Sequence, residues 1–289
     1  GRDQVAINLR ESLDYLRGKR VLITGAGGSI GSELARQLLS GGAERLYLFD
    51  HGENSLYEIE KELRILQEEG VGEKATIVPI IGEMQDPAYM EFILRRLKAD
   101  AIFHCAAYKH VPLLEENPIE AIKNNVFGTR NVIRAAHAAG VPRFVLVSTD
   151  KAVDPVSVYG ASKTIAEELV LASNGSAGDY MVVRFGNVIA SRGSIVPLFT
   201  KQIQKGGPVT VTHPEATRFF MTIPEAASLV LKAGGVGTGG EVYILDMGEP
   251  LSIKELAEQM IRFYGFSPQE EIDIKYAGLR KGEQMSESL

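Results

Sequence analysis

The stretch that decides the fold runs from Arg20 to Gly31 and reads Arg-Val-Leu-Ile-Thr-Gly-Ala-Gly-Gly-Ser-Ile-Gly. A short β-rich run is followed at once by glycines, and a helical pattern starts at Ser29. Glycines at 25, 28 and 31 permit a tight turn, a close approach of the backbone to a pyrophosphate, and close packing of the helix on the strand. The N-terminus of such a helix presents N–H groups and a positive dipole to phosphate. Because strand, glycines and helix come in this order, the stretch predicts a dinucleotide site rather than an ordinary turn.

Asp50 ends the next predicted strand, about 20 residues beyond the glycines, as a dinucleotide fingerprint requires. A carboxylate here accepts two ribose hydroxyls and repels a 2′-phosphate, so NAD is predicted over NADP. The polar residues that follow, His51, Asn54 and Ser55, could accommodate the 2′-phosphate of NADP. A comparison of NAD and NADP affinity would decide between the two cofactors. The predicted cofactor contacts are Gly25, Gly28, Ser29, Ile30, Gly31, Asp50, Asn54, Ser55, Glu83, Met84, Ala106, Ala107, Tyr159 and Lys163.

Outward from this unit, β-rich runs alternate with helical patterns as far as Phe185. Several of the strands are continuous apolar runs, which is typical of a parallel sheet covered on both faces. We therefore predict an α/β fold in residues 1–185, with a Rossmann-type doubly wound parallel sheet and an amphipathic lead-in helix over 3–17. The strands are predicted at 20–24, 46–50, 76–81, 101–104, 143–148 and 180–185, and the helices at 29–39, 53–69, 87–97, 118–139 and 157–173.

Beyond Phe185 glycine and proline become frequent and the alternation breaks. Strands are predicted at 209–212 and 242–245, and helices at 225–233 and 252–264. We interpret residues 186–289 as mainly a smaller C-terminal lobe that binds the substrate. This lobe could be discontinuous in sequence.

Composition excludes several classes of protein. The 289 residues carry a formal net charge of −6, which argues against general nucleic-acid binding because phosphate contacts need clustered Lys and Arg. Cys105 is the single cysteine, so no internal disulfide forms and a cytoplasmic location is expected; its small neighbours predict a buried packing role. His104, His110 and His213 do not have metal-ligand spacing, so no metal is predicted.

Tyr159 and Lys163 stand four residues apart at the start of a predicted helix and share one face of it. A nearby ammonium lowers the pKa of a phenol, so the pair predicts Tyr159 as a base near neutral pH. Thr149 ends the fifth predicted strand, at the edge where open α/β sheets bind ligands. The spacing is also common by chance, so a structural interpretation of the pair stays open at this point.

Taken together, the glycine loop, Ser148-Thr149-Asp150-Lys151 and the Tyr159–Lys163 pair resemble the extended short-chain dehydrogenase/reductases. Within them, the chain is most similar to the bacterial UDP-N-acetylglucosamine 4,6-dehydratases of surface-polysaccharide and protein-glycan synthesis. Further similar stretches lie at 104–112, 184–188, 191–194, 217–222 and 282–283, so the resemblance spans nearly the whole chain.

Three features of that resemblance affect what it implies. Larger family members carry amino-terminal membrane helices, and this chain resembles their soluble catalytic part. It therefore stays open whether a membrane segment ahead of Gly1 tethers the protein to the cytoplasmic face of the inner membrane. Some large members have Met where this chain has Tyr159. Lys281 stands where many relatives have proline, which makes Arg280 a less certain ligand.

The resemblance implies a redox-neutral dehydration of UDP-N-acetylglucosamine with a tightly held NAD. Tyr159, aided by Thr149 and Lys163, takes the proton of the 4-hydroxyl. Lys151 is the candidate base at C5, provided that burial or positive charge leaves it partly deprotonated. Asp150 protonates the departing 6-hydroxyl, which requires a raised pKa; a plain Asp150–Lys151 salt bridge is the structural alternative. The predicted substrate contacts are Lys109, Asn187, Arg218, Arg280 and Glu283, and Asn125 resembles the family asparagine that helps organise the proton path.

Two other functions stay open from the sequence. A UDP-sugar 4-epimerase also begins by oxidising C4, but it needs neither an acid for the 6-hydroxyl nor a base at C5. A non-catalytic dinucleotide sensor keeps the glycine loop but loses the Tyr–Lys pair. Similarity that includes His213-Pro214-Glu215 favours a dehydratase that retains the C5 configuration, with inversion as the alternative. We also expect a homo-oligomer.

Overall fold

The computed structural model describes residues 13–175, 178–189 and 195–288, and all statements below refer to these residues. The strands that they form are β1 Arg20–Thr24, β2 Arg45–Asp50, β3 Thr76–Ile81, β4 Ala101–His104, β5 Arg143–Thr149, β6 Asp179–Phe185, β7 Asn187–Ile189, β8 Val209–Val211, β9 Thr217–Arg218, β10 Phe220–Thr222, β11 Val242–Ile244, β12 Leu251–Ser252 and β13 Ile274–Tyr276.

The helices between these strands cover the sheet. Their bounds are α1 Ser29–Ser40, α2 Glu53–Glu68, α3 Pro87–Leu97, α4 Val111–Glu116, α5 Pro118–Ala121, α6 Thr129–Ala139, α7 Val158–Leu171, α8 Ile195–Gln204, α9 Ile223–Val236 and α10 Ile253–Phe263. A π-helical segment, Ile122–Gly128, joins α5 to α6, and short 3₁₀ turns lie at Asp14–Leu16 and Asp150–Ala152.

A seven-stranded parallel sheet in the order β11-β6-β5-β4-β1-β2-β3 forms the centre of the molecule. Successive residues of β1 face opposite sides, so Val21 and Ile23 join one apolar cluster and Leu22 joins the other. Helices bury both faces, which is why the strand sequences are nearly all apolar. The predicted doubly wound α/β fold is confirmed.

The strand order reverses between β1 and β4, which neighbour each other although two strands separate them in sequence. Thr24 at the end of β1 is in register with His104 at the end of β4, and Thr149 of β5 is in register with Phe185 of β6. The loops that follow these strands therefore diverge at one edge of the sheet and leave a crevice there.

The structure corrects the sequence prediction in several places, and the elements beyond Phe185 that were not predicted are helix α8 and strands β7, β9, β10, β12 and β13. The helix predicted over 118–139 is divided into α5, the π-helical segment and α6, and α4 was not predicted. Strand β11, predicted in the substrate lobe, pairs with β6 in the large sheet. Helix α9 packs on α1, where Gln37 Nε2 donates to the Pro224 carbonyl at 3.0 Å.

The remaining C-terminal elements form a separate small core. Phe199 and Ile203 of α8 pack with Val209 of β8 and with Ile253 and Ala257 of α10. Residues 186–289 therefore contribute to two cores, and the proposed two-lobe division stays a prediction. Of the predicted lead-in helix, residues 3–12 lie outside the described residues, and a 3₁₀ turn in which Leu16 is buried follows at Asp14–Leu16. No helix in the described ranges has the length and apolar character that crossing a membrane requires.

Candidate active site

A cleft of about 480 Å³ opens at the edge of the sheet where the strand order reverses. Every predicted cofactor residue lines it except Asn54, which lies exposed on α2. Thr149, Lys151, Lys109 and Asn187 from the catalytic and substrate predictions line it as well. The structure therefore brings most of the predicted residues, from loops far apart in sequence, to one cavity.

The glycine loop forms one wall of the cleft, and steric limits explain its sequence. Gly25 has a φ of +68°, and a Cβ there would lie 2.7 Å from the Ala106 nitrogen. A Cβ on Gly31 would lie 2.2 Å from the Gly25 carbonyl oxygen, whereas a Cβ on Gly28 would be 3.3 Å from that atom. A Cβ on Gly27, a residue that the sequence did not single out, would lie 2.5 Å from Ser55 Oγ. The loop and α1 are thus packed too closely for a side chain at Gly25, Gly27 or Gly31.

Asp50 ties the loop to the second strand. Its Oδ2 accepts the Gly27 N–H at 2.8 Å, and its Oδ1 accepts the Gly52 N–H, also at 2.8 Å. The residue is 8% exposed at the cleft. Each carboxylate oxygen retains further lone pairs for a ligand hydroxyl, so Asp50 can organise the loop and contact a ribose at once.

A buried polar network holds the β1 and β4 ends together. Thr24 Oγ1 lies 2.6 Å from His104 Nδ1, and it also accepts the backbone N–H of Cys105 at 3.1 Å. The other ring nitrogen of His104 lies 2.8 Å from Thr129 Oγ1. Burial lowers the pKa of His104 to about 3, and Lys163 adds to this, so the ring stays neutral. Cys105, predicted as buried packing, packs against the core but is only partly buried, and it also lines the cleft.

The catalytic candidates meet at the end of β5 and the start of α7. Ser157 caps α7 by accepting the Gly160 N–H at 2.9 Å, which fixes Tyr159 in the first turn. Tyr159 is hydrogen-bonded to Thr149, whose hydroxyl also donates to Asp150 Oδ1 at 3.1 Å. Lys163 donates to the Val147 carbonyl at 3.0 Å. The predicted group of five is therefore assembled.

The predicted origin of Tyr159 acidity is wrong in this arrangement. Burial raises the pKa of Tyr159, and the ammonium that opposes this belongs to Lys151, not to Lys163. The pKa of Lys163 is itself lowered to about 8 by burial, although Glu167 works in the other direction. Tyr159 is thus a neutral phenol before a ligand binds.

The pKa values of Asp150 and Lys151 are both raised, which favours the protonated form of each. Burial raises the pKa of Asp150 to about 7, with Glu287 adding to the rise and Lys151 opposing it. Its Oδ2 is buried and accepts no hydrogen bond from the described residues. Burial would lower the pKa of Lys151, but Asp150 and Glu287 outweigh it and raise the value. The condition set for Lys151 as a base, partial deprotonation, is not met while both carboxylates are near.

The predicted substrate ligands divide into two groups. Lys109 and Asn187 line the cleft, whereas Arg218, Arg280 and Glu283 do not. Arg218 donates through Nη2 to the Gln284 carbonyl at 2.6 Å and through Nη1 to that of Met285 at 3.1 Å. Arg280 and Glu283 close a turn on each other, since the Arg280 N–H donates to Glu283 Oε2 at 3.2 Å.

Asn125, in the π-helical segment, holds the loop that carries Lys109. Its amide accepts the Tyr108 N–H at 2.9 Å and donates to the Tyr108 carbonyl, also at 2.9 Å, with a further bond to Ser162 at 3.1 Å. A role in a proton path stays a prediction. The similar stretch at 191–194 lies outside the described residues.

Sequence reasoning missed Glu287, which is 9% exposed and contacts three of the predicted site residues. It also missed Glu167, which accepts hydrogen bonds from Ser148 and Arg184 behind Lys163. Glu287 stands four residues after Glu283, the last residue of the similar stretch at 282–283, and this nearness was the one available signal. Nothing in the local pattern indicated that its side chain points inward.

Comparison with known proteins shows the family. The chain belongs to the polysaccharide biosynthesis protein family, which it matches over residues 21–289. Capsular polysaccharide biosynthesis protein CapD of Staphylococcus aureus is 48% identical, with 100% of this chain and 48% of that protein covered. The chain thus spans about half the length of that relative. The family predicted from the motifs is confirmed.

More distant relatives have named reactions. The UDP-N-acetylglucosamine 4,6-dehydratase (inverting) of Campylobacter jejuni is 33% identical, covering 94% of this chain and 77% of that protein. The UDP-glucose 4-epimerase of Rickettsia rickettsii is also 33% identical, with the same coverage. Among solved structures, Pen from Bacillus thuringiensis is 35% identical, with a TM-score of 0.85 over 94% of this chain and 83% of that one.

Proposed function

We propose that this chain is the catalytic part of an NAD-dependent UDP-N-acetylglucosamine 4,6-dehydratase of surface-polysaccharide or protein-glycan synthesis. One observation carries the proposal: the buried Asp150, whose pKa is raised to about 7, lies 3.5 Å from Lys151, and Lys151 lines the dinucleotide cleft together with Tyr159. A carboxyl that keeps its proton near neutral pH can donate it to a leaving hydroxyl. The dehydratase relative and the family support the same reaction.

The cleft fits NAD. The closely packed glycine loop leaves room for a pyrophosphate at the start of α1, and Asp50 stands where the adenosine ribose would lie. When bound, the nicotinamide supplies reversible hydride storage for the sugar. Asp50 would repel the 2′-phosphate of NADP, so we propose NAD as the cofactor.

The chain's own residues would handle the protons. Tyr159 takes the proton of the 4-hydroxyl, and Thr149 orients the phenol through their hydrogen bond. Asp150 donates its proton to the 6-hydroxyl oxygen as water leaves. Lys151 stays the candidate for the C5 proton, and this role requires substrate binding to separate it from Glu287, because the two are 2.7 Å apart in the resting site.

Epimerisation is the second candidate, since a UDP-glucose 4-epimerase is as similar as the dehydratase. It would use Tyr159 and Lys163 in the same way. Epimerisation has no step that needs a protonated Asp150 next to Lys151, and for this reason we favour dehydration.

Incubation with UDP-N-acetylglucosamine and NAD in deuterated water, followed by NMR, tests the proposal. We expect loss of the 6-hydroxymethyl, a new 6-methyl group, a 4-keto carbon and deuterium at C5, with the C5 configuration retained. The Tyr159→Phe variant is the control, because it should bind the substrate and yield no product. An intact 6-hydroxymethyl in a product inverted at C4 would establish the epimerase instead.

A further inference from the structure

The C-terminal segment, residues 280–287, folds back onto the active site. Its turn packs against Glu115, since a Cβ on Gly282 would lie 2.8 Å from Glu115 Oε1. Glu115 also accepts the Val158 N–H at 2.7 Å, at the start of the helix that carries Tyr159. The Met285 carbonyl accepts the Thr217 N–H at 2.9 Å. The segment is therefore held at both ends of its path across the site.

The path ends with Glu287, and its carboxylate is the meeting point of three predicted site residues. Glu287 Oε1 lies 2.7 Å from Lys151 Nζ and 3.4 Å from Arg218 Nε. Asn187 Nδ2 donates to Glu287 Oε2 at 3.2 Å. The Glu287 side chain is 2% exposed, so these contacts are made away from solvent, where charges interact strongly.

Asp150 lies beside this carboxylate, and the two acids hold different protonation states. Burial acts to raise the pKa of Glu287, but Lys151, Asp150 and Arg218 together lower it below its usual value. Glu287 thus carries the negative charge and Asp150 the proton, as expected for two carboxyl groups that share a site.

We propose that Glu287 is a positioning residue of the active site, which fixes Lys151, Arg218 and Asn187 around one carboxylate next to Asp150. The C-terminal segment thereby completes the site from outside the large sheet. This inference rests on the proposed dehydration for its functional meaning, because only that reaction needs Asp150 as an acid. The structural part, the coupling of Glu287 to Asp150, is independent of the substrate.

The charged and titratable groups that face Asp150 come from three parts of the fold. Lys151 belongs to the same 3₁₀ turn, Tyr159 to α7 and Glu287 to the C-terminal segment. Arg218, from β9, acts on Glu287. Of these, Glu287 is the one whose charge raises the pKa of Asp150 through both proximity and hydrogen bonding. Removal of this charge should therefore lower the pKa of Asp150.

The test is a pH titration of the protein without substrate, labelled with ¹³C at aspartate carboxyl carbons. The Asp150 signal is assigned by its loss in Asp150→Asn. We expect it to titrate near 7 in the unmodified chain, as its raised pKa indicates, and at least about one pH unit lower in Glu287→Gln. The surface variant Glu249→Gln, which removes the same charge from an exposed site, should leave the titration unchanged.

Glu287→Asp keeps the charge and withdraws it by one methylene, so the pKa of Asp150 should fall only partly, to a value between those of the unmodified chain and Glu287→Gln. If Glu287→Gln does not fold, this partial fall carries the test, and an Asp150 pKa unchanged in Glu287→Asp overturns the inference. The dehydration rate should fall as pH rises through the Asp150 pKa, and this fall should move to lower pH in Glu287→Gln. An Asp150 signal that titrates alike in the unmodified chain and Glu287→Gln overturns the inference. A shifted signal without dehydration refutes the proposed function and leaves the coupling intact.

Discussion

Two buried aspartates, each at the end of a strand in the same sheet, serve the two halves of the cleft in different ways. Asp50 ends β2, and both of its oxygens accept backbone N–H groups at 2.8 Å. Asp150 follows β5, and one of its oxygens accepts no hydrogen bond within the described ranges. Lys151 lies 3.5 Å from the other oxygen, and the Glu287 carboxylate is adjacent.

The difference shows that the role of a buried carboxylate depends on the hydrogen bonds that it accepts as well as on its desolvation and its charged neighbours. Donors aimed at both oxygens make Asp50 a fixed acceptor that shapes the glycine loop. Desolvation and a neighbouring carboxylate make Asp150 a proton carrier with a pKa of about 7. One half of the cleft is built for recognition and the other for acid–base chemistry.

The largest effect should follow from Asp150→Asn, which removes the acid but keeps the shape. We expect the dehydration rate to fall by about 10² to 10⁴-fold, the usual contribution of a positioned general acid. Affinity for NAD and for UDP-N-acetylglucosamine, measured by calorimetry, should change little. Full turnover by this variant would remove Asp150 from the mechanism.

Asp50→Asn should act in the opposite way, on binding rather than on catalysis. An amide can accept only one of the two loop N–H groups, and a charge-assisted hydrogen bond is worth about 1.5–3 kcal/mol. We expect weaker NAD binding and a smaller preference for NAD over NADP in calorimetry, with the rate at saturating NAD little changed. Equal discrimination by the variant and the unmodified chain would contradict the role of Asp50.

The smallest effect should come from the loop itself. In Gly31→Ala the new methyl would meet the Gly25 carbonyl oxygen at 2.2 Å, so α1 must shift, at a cost of about 1–3 kcal/mol in the free energy of unfolding. Gly28→Ala is the matched control, because its contact is 3.3 Å and the expected loss is below about 1 kcal/mol. Urea unfolding of both variants measures the difference in the free energy of unfolding. A loss in Gly31→Ala as small as that in Gly28→Ala would show that the loop tolerates a side chain at Gly31.

The sequence by itself determined the sheet and the nucleotide half of the cleft. Apolar strand runs, helical periodicity and the glycines at 25, 28 and 31 are local signals, and a strand–loop–helix unit is built from neighbours in the chain. Asp50 followed from the same unit, because its distance from the loop is fixed by one helix and one strand.

Only the tertiary structure decided the acid–base half. Asp150 and Glu287 are 137 positions apart in the numbering, and their proximity depends on how the C-terminal segment crosses the sheet edge. The same long-range packing turned Arg218 towards that segment and placed β11 in the large sheet. Protonation states depend on burial and on the charges that folding brings near, and a local pattern of residues predicts neither of them.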